Sequence, residues 1–292
     1  MRLFLLIFLL GFAAAPSALA EVQVGRPYVL PHSQVIPFTA KTNGVDYELY
    51  VSLPKGYPSS DKPYPLLVTL DADYQFAIAS NQIARLASHN GQAPEMIVVS
   101  IGYAYDPDDK HAYRLNRTRD YTPAHADKGG YGPAYQKFSG GGPAFAAVIE
   151  KEILPLLGAR YRIDEEERVF IGHSYGGLFG AYLLLEKPAL FKRYILVSPS
   201  LWYNEKMMIK AAEKARPFKR KTYVYMGVGA WENQAGLYMM VDDLNAFAAA
   251  LKARDDPNLV METRVFEDET HASIYPAVLS TGMRHLYREM ND

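Results

Sequence analysis

Cysteine is absent from the 292 residues, which excludes disulfides, thiolate metal sites, a cysteine nucleophile and a lipidated amino-terminal cysteine. Charge imbalance is missing too. The 31 basic and 32 acidic residues give a formal net charge of −1, too little field to hold a nucleic acid, so none is expected as a partner. No H-E-x-x-H, calcium-loop, dinucleotide or phosphate-loop pattern occurs, and the triplet Asp106, Asp108 and Asp109 lacks the remaining ligands of an EF-hand. Neither metal nor cofactor is expected.

Long apolar runs are confined to the first twenty residues. Arg2, an apolar stretch over 3–15 and the small-x-small triplet Ala18-Leu19-Ala20 read as a secretory signal peptide. Pro16 and Ser17 interrupt that stretch before it reaches the roughly 20 residues a spanning helix needs. Cleavage after Ala20 leaves residues 21–292 as one α/β domain, starting at Glu21, periplasmic or secreted and without stable membrane insertion. Its 30 basic and 32 acidic residues then suit a small-molecule substrate.

Within that domain, strand-like runs at 47–53, 66–70, 96–101, 168–171, 194–197, 222–226 and 260–266 are short and mostly apolar on both faces. Helical patterns at 74–88, 143–161, 178–186, 237–254 and 272–290 alternate with them. The alternation predicts a mostly parallel sheet covered by helices on both faces. Pro155 should kink or split the pattern at 143–161. Residues 103–142 break the alternation and read as a long segment without regular structure, rich in tyrosine and carrying Arg114, Arg117 and Arg119. It is either one wall of a ligand pocket or a surface excursion whose arginines pair with Asp106, Asp108, Asp109 and Asp120.

The segment RVFIGHSYGG at 168–177 carries the most specific signal. A run of strand formers stops at Gly172, turns through His173, Ser174 and Tyr175, and resumes as a helix, the setting of a nucleophile elbow. Gly172 and Gly176 leave room for that tight turn. A serine needs an imidazole to take its proton. His271 follows the last strand and respects the chain order serine, acid, histidine; His32, His89, His111 and His125 precede the elbow, and His285 falls within a helix. His173 is adjacent to the serine and reads as structural. The orienting acid is assigned to Glu232, on the loop after the strand at 222–226; Asp268 is too close in sequence to His271 to be a natural partner, and Asp242 and Asp243 read as solvated helix charges. The backbone amides of Tyr175 and Asp73 are the candidate oxyanion donors.

Assembled, these segments resemble the esterase family of α/β-hydrolases that includes enterochelin esterases, S-formylglutathione hydrolase, feruloyl esterases and mycolyltransferases. The likeness runs through YPLLVTLDADYQF at 64–76, RTRDYTP at 117–123, the elbow with VSPSLWYN up to 204, YVYMGVGAWEN at 223–233 and THASIYPAVLSTGMRHL at 270–286. It is closest to the siderophore esterase branch, with a departure at Ala72, where relatives often carry glycine. The resemblance implies an α/β-hydrolase fold, Ser174 as nucleophile, His271 as base and an acid at or near Glu232. A serine esterase for siderophore or aryl esters is the leading expectation. Trp202, Arg117, Arg119 and Tyr121 would then contact an aromatic or anionic acyl group such as a catecholate. Acyl transfer to an envelope acceptor, and non-catalytic siderophore binding on the same fold, are the alternatives.

Overall fold

The computed structural model describes residues 25–88, 91–106, 108–234 and 238–288, so the expected signal peptide and Glu21 lie outside it, as does His89. Eight strands form the main sheet: β1 Ser33–Thr39, β2 Asp46–Ser52, β3 Tyr64–Leu70, β4 Ile97–Tyr103, β5 Ile163–His173, β6 Arg193–Val197, β7 Thr222–Gly229 and, after the two-residue ribbon β8 Asn233–Gln234 and β9 Tyr238–Met239, β10 Leu259–Phe266. Their spatial order is β1-β2-β4-β3-β5-β6-β7-β10. The pairs β1–β2 and β2–β4 are antiparallel and the rest are parallel. Strand β1, missing from the sequence reading, has only Ile36 fully buried and forms the sheet edge.

The helices are α1 Ala72–Ser88, α2 Lys110–Tyr121, α3 Pro133–Gln136, α4 Gly142–Val148, α5 Leu154–Arg160, α6 Tyr175–Glu186, α7 Tyr203–Lys214, α8 Met240–Lys252 and α9 Ile274–Leu286. Both faces of the sheet are covered because its central strands are apolar on both. In β5 and β6, Phe170, Tyr194 and Leu196 join the larger core with Phe179 and Phe247, while Val169, Ile171, Ile195 and Val197 face the smaller one with Ile83 and Val278. Thus α1 and α9 cover one face, and α4, α6 and α8 the other. Among the described residues no helix is long and apolar enough to cross a membrane.

Residues 103–142 are not the structureless loop that the sequence suggested. Asp109 caps α2 by accepting from the amides of His111 and Ala112 at 2.9 and 3.1 Å. The helix escaped notice because it is polar and lacks an apolar stripe. Pro155 does divide its helix. A π-helical turn over Ile149–Ile153 precedes it, and the Leu154 amide bonds to the Ile149 carbonyl five residues back, so the chain re-enters α5 with proline in its first turn.

At the elbow Ser174 has φ 60° and ψ −119°, a strained conformation for a residue with a side chain. A Cβ on Gly172 would lie 2.1 Å from the Gly176 carbonyl oxygen. Gly176, expected to matter equally, has its nearest contact at 3.3 Å, with a flexible Leu70 methyl; the second tight position is Gly177, whose added Cβ would lie 2.8 Å from Pro199 Cα. Gly172→Ala should therefore reduce the free energy of urea unfolding by about 3 kcal/mol or more, and Gly176→Ala by less than about 1 kcal/mol. Equal losses for the two variants would contradict this account of the turn.

Candidate active site

Parallel strands deliver their carboxyl ends to one rim, and all the chemistry-bearing residues collect there. The loops after β3, β5, β6, β7 and β10 supply Asp71, Ser174, Ser200, Glu232 and His271 to the lining of a single cavity of about 950 Å³. That volume lies near the upper end of the roughly 300–1,000 Å³ typical of ligand sites, room for a bulky ester rather than a short acyl group alone.

Glu232 lies in the one-turn 3-10 segment Ala230–Glu232 and its side chain is 2% exposed. The Gly229 amide and the Ser198 hydroxyl donate to its Oε1 at 2.8 and 2.5 Å, and its Oε2 lies 2.5 Å from His271 Nδ1. The close turn needs Gly229, because a Cβ there would fall 2.3 Å from the Glu269 carbonyl oxygen. With Nδ1 donating to the carboxylate, Nε2 is left with a lone pair. The imidazole is 43% exposed and lines the cavity. Its turn is fixed by Ser273, whose hydroxyl accepts from the Thr270 amide at 3.0 Å and donates to the Glu269 carboxylate.

Ser174 is held by the segment after β6. Its amide donates to the Val197 carbonyl at 3.0 Å, its carbonyl accepts from Ser200 N at 3.1 Å, and its Oγ lies 3.4 Å from Ser200 Oγ. Among the described residues the hydroxyl is bonded to Ser200 and not to His271. Ser198 and Ser200 thus bond to Glu232 and Ser174 respectively, a pair of contacts the sequence reading missed. The available signal was their position at the end of a central strand, alongside the other site loops. Tyr175 opens α6, so its amide has no acceptor within the helix. The amides of Ala72 and Asp73 are in the same position at the start of α1, where Tyr74 N and Gln75 N already bond to Asp71 O. The Asp73 side chain turns to the Tyr105 hydroxyl at 2.6 Å. Ala72 fits because its methyl packs over Gly102, where an added Cβ would meet it at 2.9 Å.

Of the four residues expected to touch substrate, two line the cavity. Trp202 does, stacked on Tyr238 with ring centroids 4.6 Å apart, and Arg117 does. Arg119 does not: its guanidinium grips Asp120 at 2.7 and 2.9 Å, and Asp120 also accepts from the hydroxyls of Tyr47 and Tyr103. Tyr121 does not either, being wholly buried with its ring 5.4 Å from the Arg117 guanidinium. Arg117 itself is committed. It donates to both oxygens of Asp71 at 2.8 and 3.1 Å, to the His173 carbonyl at 3.4 Å and to the Tyr131 hydroxyl. Burial, the largest single influence, opposes its charge, but the Asp71 carboxylate together with Tyr113 and Tyr131 outweighs it, and the guanidinium stays protonated. The pair ties the loop after β3 to the elbow.

His173 packs against His271, with ring centroids 4.6 Å apart, and against Tyr275 at 6.3 Å. Burial first, then the neighbouring His271 and Arg117, hold its imidazole well below the ordinary 6.5. It is therefore neutral at pH 7, and its buried Nε2 has no hydrogen-bond partner among the described residues.

Two outcomes follow from these contacts. Arg117→Met leaves Asp71 buried and unpaired and should cost about 3–5 kcal/mol in urea unfolding; adding Asp71→Asn should recover much of that, and additive losses would refute the pairing. Because the His173 pKa is depressed in the folded state, the unfolded chain binds the extra proton. Its burial carries no penalty above the ordinary value of 6.5, and stability falls as pH drops below that. His173→Asn should flatten that decline in unfolding curves compared at neutral and mildly acidic pH, and an unchanged slope would contradict it.

The profile of the family described as "Putative esterase" matches residues 40–260. Among curated relatives, the ferri-bacillibactin esterase BesA of Bacillus subtilis is 26% identical over 267 residues, 88% of this chain and 90% of its own length. The siderophore triacetylfusarinine C esterase of Aspergillus fumigatus is 25% identical over 291 residues, covering 90% of this chain and 96% of its own. Among solved structures, an IroE-like serine hydrolase from Shewanella oneidensis superposes with TM-score 0.77 at 26% identity, over 88% of this chain and 80% of that one. The BES protein from Bacillus cereus superposes equally well, at 25% identity over 90% and 98%. With the elbow, the parallel sheet and this coverage together, the chain belongs to that esterase family, has the α/β-hydrolase fold and is a carboxylic ester hydrolase.

Proposed function

We propose that the chain is an exported serine esterase that opens siderophore or related aryl esters through an acyl-enzyme on Ser174. The observation that carries the reading is a strained serine sharing one cavity with an imidazole whose far nitrogen is anchored by a buried carboxylate. The siderophore esters named for two relatives supply the substrate class.

In this mechanism a χ1 rotation takes Ser174 Oγ from Ser200 toward His271. Its oxygen attacks the ester carbonyl carbon while Nε2 accepts the hydroxyl proton. The oxyanion forms against the amides of Tyr175 and Asp73 at the starts of α6 and α1, where unbonded N–H groups and helix dipoles favour negative charge. Collapse breaks the C–O bond, and His271 returns the proton to the departing alkoxide. Water activated by the same imidazole then attacks the acyl-enzyme and releases the acid. Glu232 holds the tautomer and balances the imidazolium as it forms.

Ser174→Ala should abolish both p-nitrophenyl ester hydrolysis and labelling by a fluorophosphonate probe. Hydrolysis retained by that variant contradicts the mechanism, and a wild-type protein that takes no adduct on Ser174 would support binding alone. For export, fractionation should find the full chain outside the cytoplasm and a version lacking residues 1–20 within it; identical distributions refute that part.

A further inference from the structure

The esterase mechanism gives no part to His173, yet its imidazole lies against the base. Among the described residues it is the only ring in contact with His271, with centroids 4.6 Å apart and planes inclined at 36°. The one hydrogen bond of the His271 side chain among those residues, from Nδ1 to Glu232, fixes a single corner of that imidazole. A ring held at one corner can still swing about the bond, and at 43% exposure little else confines it. The ring of His173 closes off that swing on one side. His173 is itself braced: it ends β5, and its carbonyl accepts from Arg117 at 3.4 Å. The Tyr275 ring meets it edge-on at 6.3 Å, and the buried Tyr275 hydroxyl lies 3.0 Å from that of Thr69 in β3. Support therefore runs from the centre of the sheet through Tyr275 and His173 to the face of the base.

From this contact we propose that His173 is a positioning residue for the base: its flat ring backs His271 and keeps Nε2 of that imidazole aimed at the proton of Ser174. The role rests on the esterase reading, because it is exerted wholly through His271. A base free to tilt spends less time in line with the serine, and small misplacements of a reacting group are costly. The arrangement also costs stability, since His173 Nε2 is buried with no hydrogen-bond partner among the described residues. An aliphatic side chain of similar volume would carry no such unpaired atom. Burial, His271 and Arg117 hold the His173 ring neutral, so it sets no second cation against the imidazolium that forms on His271 during proton transfer.

The test compares His173→Leu, close to histidine in volume, with His173→Phe. Fluorophosphonate labelling of Ser174, kcat and KM for a p-nitrophenyl ester, and urea unfolding at neutral pH are read on each. Leucine removes the unpaired nitrogen together with the flat face. Its unfolding stability should be equal or higher, while labelling and kcat fall by about tenfold or more and KM stays within about threefold. Phenylalanine restores a flat face and should label at least about threefold faster than leucine. In a His271→Ala background, His173→Leu should change the residual labelling by less than about threefold, because the imidazole it acts through is gone. The proposal is overturned by His173→Leu labelling within about threefold of the unmodified rate, or by stability lost in step with labelling. Phenylalanine no faster than leucine, or a further fall of about tenfold in the His271→Ala background, overturns it as well. An unmodified protein that takes no adduct on Ser174 and hydrolyses no p-nitrophenyl ester contradicts the esterase reading itself and removes the proposal with it.

Discussion

The site is organised by one buried carboxylate. Glu232 is shut away from water, so its charge is tolerable only with donors on both oxygens, and these come from three strand ends: Gly229 at the end of β7, Ser198 after β6 and His271 after β10. Each donor makes a stronger bond because the acceptor is ionised and dry. The same bonds that make the charge bearable set the tilt and tautomer of the imidazole. Stability and chemistry are joined at this point, because loosening any of the three loops leaves a buried charge short of a partner.

A second buried charge does comparable work on the other side of Ser174. Arg117 reaches from α2 to Asp71 and to the carbonyl of His173, so the loop that opens α1 and the turn that opens α6 are held to one guanidinium. The starts of α1 and α6 are thereby held to the same side chain. Asp71 itself has φ 53°, a conformation that leads β3 abruptly into the helix and that a paired aspartate can sustain. The serine is thus braced by an ion pair on one side and by the Ser198–Ser200 segment on the other.

How much of this could be read from the chain alone depended on whether the information was local. The elbow at Ser174 was legible because strand, Gly172, turn and helix are contiguous, and the convergence of His271 and Glu232 on one cavity because each follows a recognisable strand in a fixed order. The parallel sheet was legible from runs apolar on both faces. What failed was pairing. A sequence shows three arginines within six residues, but whether each is free or committed depends on Asp71 and Asp120, and Asp71 lies 46 residues from Arg117. Tyr121 likewise looked available until burial placed it behind the guanidinium. The polar helix α2 was hidden because its one start signal, Asp109, sits among other aspartates. Gly176 and Gly177 could not be ranked without knowing that Pro199 packs against the turn. Ser198 and Ser200 carry no motif of their own beyond their place at a strand end.

The dependence of nucleophile reactivity on the buried acid is the most direct test. The measurement is the second-order rate of fluorophosphonate labelling at Ser174, compared between the unmodified protein and Glu232→Gln, whose shape is nearly the same but whose amide favours the wrong imidazole tautomer. With both proteins shown to be folded, the account predicts a rate lower by about 10³–10⁴-fold in the variant. A rate within about threefold of the original would mean that Glu232 does not set the reactivity of the serine, and the central claim would fail.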